Sequence, residues 1–197
     1  MAIDLMIMPL SRYFSGDYIT PAMRQAWSVG ASYKILTSEG ARECPPDVPL
    51  GGLDATSKRH AALPELIESL RLLPFGIPDS LWDEASDVEP CFYRLELSSL
   101  EMLLEEAAEA LVAKPSFLGR LVGKKAAPSH FLSAEMFLPV PFSEHFALGN
   151  TLTGSVHTAK RELESHTWSS GARPAYEHWI AALEDAIALN QPLVVDM

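Results

Sequence analysis

An α+β fold is what this sequence predicts, on three observations. Short apolar segments that read as buried strands stand at both ends, residues 2–8 (AIDLMIM) and Leu193-Val194-Val195. Helical periodicity and strand alternation are interspersed between them. Their order is not the regular strand–helix alternation of a parallel sheet. The expected architecture is a small mixed or antiparallel sheet packed with about five to six helices, with a three-layer α/β sheet as the alternative. The 197 residues, 48% hydrophobic and 21% charged, suit one globular domain spanning 1–197 with a core that needs no staples.

The elements follow in order. The first strand ends at Pro9, and residues 11–21, with Ser, Gly, Asp, Thr and Pro, read as loop. A short helix is expected over 22–29 and a strand over 32–37 (SYKILT). Gly40 to Asp54 holds Pro45-Pro46, Pro49 and Gly51-Gly52, so the long 40–54 stretch is a loop, because each proline removes a donor. Leu63, Leu66, Ile67, Leu70 and Leu73 fall at helical spacing, and Pro64 starts or kinks that helix. A short helix around 79–86 follows Pro78.

The clearest unit begins after Pro90. Residues 91–97 (CFYRLEL) alternate as a half-buried strand. Ser98 and Glu101 then stand at capping-box spacing ahead of a helix. Leu100, Leu103, Leu104, Ala107 and Leu111 gather on one side of its wheel, with Glu101, Glu105 and Glu109 opposite. Lys114 and Pro115 suit its end. A largely irregular loop over 114–131 leads to a strand at 134–140 (AEMFLPV). Helices are expected at 155–167 and 174–189, the second stopped by Asn190 and Pro192.

Charge is unevenly distributed. The net charge is -11, from 15 Lys and Arg against 26 Asp and Glu. No acid falls between Glu109 and Glu135, yet Lys114, Arg120, Lys124 and Lys125 do. Of these, Arg120, Lys124 and Lys125 are candidate contacts for a partner or an anion, since Lys114 has a role at a helix end. The acidic balance disfavours nonspecific nucleic-acid binding, and four cations are too sparse for a nucleic-acid module.

Motifs exclude more than they assign. Gly119 to Lys125 imitates a phosphate loop with one spacer residue too few, and Gly149 to Ser155 lacks the lysine, so neither meets the chemistry of nucleotide hydrolysis. The latter reads as a turn into a helix capped by Thr153 or Ser155. Cys44 and Cys91 form no ligand-spaced set and read as reduced thiols. Six histidines make no HExxH, HxH or i,i+4 pair, so no metal and no cofactor are expected. Glu162 and His166 stand at i,i+4, and with Arg161 they are the candidate catalytic residues: a carboxylate orienting a general base.

The N-terminal stretch holds Asp4 and lacks a basic region, so it does not read as a signal peptide, and no apolar run approaches a membrane span. The expected function is therefore a non-catalytic binding protein in the cytoplasm. Its acidic surface would engage a protein partner, as an immunity or inhibitor protein does. A small-molecule hydrolase or transferase using Glu162, His166 and Arg161 is the alternative, and weak nucleic-acid binding through 114–125 the second.

Overall fold

The two terminal strands pair with each other. The computed structural model describes residues 2–37, 40–73, 82–111 and 129–196. In it β1 (Ala2–Ile7) runs antiparallel to β8 (Leu193–Asp196), with Leu5 opposite Val195 and Ile7 opposite Leu193. They lie inside a six-stranded sheet of order β4-β1-β8-β5-β7-β6, with β4 at Cys91–Glu96, β5 at Met136–Leu138, β6 at Phe146–Leu148 and β7 at Thr151–Ser155. β5 is antiparallel to β8 but parallel to β7, which makes the sheet mixed. The α+β class is as expected, with seven helices among the described residues.

The chain divides into two compact units, 1–7 with 93–197 and 8–92. The first holds the six-stranded sheet and the helices α4 (Leu97–Leu111), α5 (His130–Ser133), α6 (Val156–Glu164) and α7 (Arg173–Leu189). Its core is the apolar face of α7, namely Trp179, Leu183 and Ala186, against Phe137 of β5 and Phe131 of α5. Trp179 meets both phenylalanine rings edge-on, at 5.2 and 5.7 Å, a favourable aromatic geometry. α7 ends where Asn190 takes the left-handed conformation, as its sequence implied.

The second unit contains α1 (Leu10–Ser15), α2 (Pro21–Ser28), the hairpin β2 (Tyr33–Thr37) and β3 (Gly40–Cys44), and α3 (Ala55–Arg71). Several expectations change here. Residues 11–15 of the stretch read as loop belong to α1, and the 40–54 loop begins with a strand. Of the two places the sequence allowed Pro64, the start of the helix or its interior, it takes the interior of α3. Of the helix expected near 79–86, residues 82–86 are irregular and the earlier ones lie outside the described residues. α4 starts at Leu97, so Ser98 is not its cap; Ser99 Oγ donates instead to the Glu96 carbonyl, at 3.1 Å.

α1 owes its start to a residue far along the chain. The buried Glu84 carboxylate accepts from the backbone N–H groups of Leu10 (3.1 Å) and Ser11 (2.7 Å), and from the Trp82 indole. Gly16 closes the helix at φ 67° against Gly51, where a Cβ would come within 2.5 Å of backbone. Arg59, only 2% exposed, donates to Ser11 Oγ, to the carbonyls of Glu84 and Ser86, and to Asp87.

Two predictions follow from these contacts. Glu84→Ala should cost about 1–3 kcal/mol for each buried donor it leaves unpaired. Urea unfolding would measure it, and faster amide exchange at Leu10 and Ser11 would localise it. The second concerns Asp196, which faces Asp4 across the β1–β8 pair. Partial desolvation, and then the Asp4 charge, hold its carboxyl above the usual range. A carboxyl raised in the folded state favours folding when protonated, so stability falls as pH rises from the unfolded carboxylate value through the folded one. Asp196→Asn should therefore raise the unfolding midpoint at pH 7, with the gain vanishing near pH ~3.5, below the unfolded value.

Candidate functional site

A cluster of buried polar groups lies at the start of α6. Ser155 caps this helix, accepting from Thr158 N–H, and its own hydroxyl donates to the Val140 carbonyl at 2.6 Å. In the last turn of the same helix stands Glu162. Its Oε2 accepts from Ser129 Oγ (2.8 Å) and Phe131 N–H (2.9 Å), and its Oε1 from His130 N–H (3.1 Å). Glu162 therefore caps α5.

His130, which the sequence did not single out, is 2% exposed in the same cluster. Its Nδ1 accepts from Ser155 N–H at 2.9 Å, and Nε2 lies 3.2 Å from the Ser143 carbonyl. A nitrogen that accepts from a backbone N–H carries no proton, so the proton sits on Nε2 and donates to Ser143. The ring lies edge-on to His145 and against Phe142. Both nitrogens are thus committed to backbone. No signal in the sequence, read alone, marks such a residue.

The candidate catalytic residues are not brought together in one hydrogen-bonded arrangement. Arg161 donates to the His157 carbonyl and to Thr158 Oγ1 on its own helix. His166 is exposed past the end of α6, with its ring edge-on to Trp168 at 5.9 Å. It does line a concavity. A recess of about 370 Å³ is formed by His166, Thr167 and Trp168 with Glu106, Glu109 and Ala110 of α4. Glu106 is held there by Ser169, whose hydroxyl and backbone N–H both donate to it and keep its carboxyl below the usual range. Glu162, which sequence spacing assigned to His166, is committed to α5, and the recess beside His166 is lined instead by Glu106 and Glu109 of α4.

That recess adjoins the solvent-facing side of α4. Leu100, Leu103 and Ala107 are buried, and Glu101, Glu105 and Glu109 form the opposite, exposed line, as the wheel implied. Leu104, expected inside, is partly exposed beside them, as is Met102. The three glutamates have no hydrogen bond or ion pair among the described residues. The described bases of this unit are Arg94, Lys160, Arg161 and Arg173. Arg94 is bound to Asp4, and Lys160 to Glu164 and Glu184.

A second concavity, about 730 Å³, lies at the start of α4 and is lined by Arg94, Glu96, Ser98, Ser99, Pro174 and His178 among others. His178 Nδ1 is 2.8 Å from the Pro174 carbonyl, to which it donates. With Arg94 bound to Asp4 and Glu96 beside it, the cleft has no excess of positive charge. The stretch from Gly149 to Ser155, compared above with a phosphate loop, forms β7 from Thr151 onward. Arg120, Lys124 and Lys125, and the loop region from 114 to 128, lie outside the described residues. Among the described residues no three His, Cys, Asp or Glu side chains are grouped to hold a metal ion, and no helix is long and apolar enough to cross a membrane.

No protein-family model matches this chain, and neither does any curated protein or solved structure.

The tautomer of His130 is directly observable. Nitrogen-15 spectra of the folded protein should show Nε2 protonated and Nδ1 bare. The reverse pattern would remove the hydrogen bond from Ser155 and with it this account of the cluster.

Proposed function

We propose that this protein is a non-catalytic binding protein of the cytoplasm, whose acidic surface contacts a basic protein partner in the manner of an immunity or inhibitor protein. The observation that carries the reading is the exposed line Glu101, Glu105 and Glu109 on α4, without counter-ions among the described residues. Complementary charge speeds encounter and selects partners. The adjoining recess, with Glu106, His166 and Thr167, offers a concave seat for a cationic side chain. Glu162 supports the same reading, because its carboxylate is committed to the backbone of α5 rather than to His166.

The test compares the wild type with Glu101→Lys/Glu105→Lys/Glu109→Lys as baits in native lysate at low salt. The expected result is a stoichiometric partner of basic composition on the wild type. It should be lost from the charge-reversed protein and released as salt rises, since exposed charges are screened within a Debye length of about 8 Å at physiological ionic strength. Equal recovery of the same proteins on both baits would defeat the reading. So would tight capture that ignores salt.

A further inference from the structure

Each of the three helices among the described residues of the 8–92 unit directs one arginine at the same irregular segment, residues 82–89. Arg59 of α3 donates to the carbonyls of Glu84 (3.2 Å) and Ser86 (2.7 Å) and to Asp87 Oδ1 (2.9 Å). Arg12 of α1 donates to the Val88 carbonyl at 2.7 Å. Arg24 of α2 forms an ion pair with Glu89. Arg12 also lies within electrostatic range of Arg59, Asp87 and Glu89, so these four groups are neighbours, and Arg24 joins them through its ion pair with Glu89.

The exposures are unequal. The Arg59 side chain is 2% exposed, whereas the Asp87 side chain that meets it is 89% exposed and that of Glu89 is 66% exposed. Each acid therefore reaches its arginine from the solvent side. Within the segment, Glu84 is the fixed anchor, buried and bound to the start of α1. Asp87 and Glu89 have no such second role in the hydrogen bonds they make. A buried guanidinium needs a compensating anion. Asp17 supplies part of that need at 3.5 Å, but its other oxygen takes the Thr56 hydroxyl. Clustered guanidinium forks match the oxygens of phosphate in geometry and charge.

We propose that Arg12, Arg24 and Arg59 form a phosphate-binding site which the chain's own Asp87 and Glu89 occupy in this structure. The segment 86–89 is then an internal competitor, tethered at Glu84, that an incoming phosphate group displaces. Asp87 and Glu89 together bring two negative charges to the cluster, as a phosphate group does. The inference is independent of the α4 surface and of any basic partner.

The experiment follows thermal unfolding of the full chain against inorganic phosphate, with sodium chloride at matched ionic strength as the reference. Removing a tethered competitor raises apparent affinity, so Asp87→Ala/Glu89→Ala should bind phosphate at least about tenfold more tightly than the wild type. Its midpoint should rise saturably with phosphate and not with chloride. Adding Arg12→Ala or Arg24→Ala should abolish that rise. Should the double alanine variant fail to fold, Asp87→Asn/Glu89→Gln keeps the side-chain volumes and is read in the same way. A folded variant that responds equally to phosphate and chloride would overturn the proposal, as would a phosphate response that survives loss of Arg12 and Arg24.

Discussion

The first N–H groups of a helix have no partner within it, and burying them unpaired costs more than a short helix recovers from its own hydrogen bonds. This constraint governs how each unit is held together internally. α1 has six residues and α5 only four. Each takes a carboxylate from a distant part of the chain: Glu84 at Leu10 and Ser11, and Glu162 at His130 and Phe131. Once placed, each carboxylate recruits more structure. Glu84 brings Trp82 and, through its carbonyl, Arg59. Glu162 brings Ser129, whose hydroxyl also accepts from Leu132 N–H. Charge-assisted hydrogen bonds of this kind are roughly twice as strong as neutral ones, which suits them to hold elements too short to persist alone.

The same constraint explains what could be read from the sequence. β1, β4, β5 and β8, and the helices α2, α3, α4, α6 and α7, were all foreseeable, because their signals are local: apolar runs, 3.6-residue periodicity, and stops at Pro and Asn. α1 and α5 were not, because each is too short to show a period and the two draw their carboxylates from 73 and 31 residues away at the closest, the local Ser129 cap of α5 notwithstanding. β3 reads Gly-Ala-Arg-Glu-Cys with its first four residues exposed, so it has no apolar alternation to detect; its pairing with β2 defines it. β6 is three residues long and is defined only by β7 beside it.

The candidate site divides along the same line. The glutamate line on α4 follows from a helical wheel, since its spacing and the buried face opposite are properties of one segment. The Glu162–His166 pairing followed from i,i+4 spacing too, but α6 ends at Glu164, and His166 turns toward Trp168 and α4. Spacing predicts contact only while the helix continues. His130 lay beyond any local rule, because its partners, Ser143 and Ser155, are brought to it by β7 and the loop after β5.

Charge placement separates structural acids from the rest. Glu84, Glu106 and Glu162 each accept hydrogen bonds that hold a neighbouring segment, so the fold gains from their charge. Glu101, Glu105 and Glu109 bring no such gain. Like charges at i,i+4 cost a helix about 0.2–0.5 kcal/mol per pair. Glu109 also stands in the last turn of α4, where the helix dipole disfavours a negative charge, and the last turn holds no base. Burial of Leu100, Leu103 and Ala107 outweighs these penalties, at roughly 1.5–3 kcal/mol for a leucine side chain alone. α4 is therefore stable in spite of its glutamates. Cations brought against that face would relieve a repulsion that the isolated chain carries, which is the energetic basis for reading it as a contact surface.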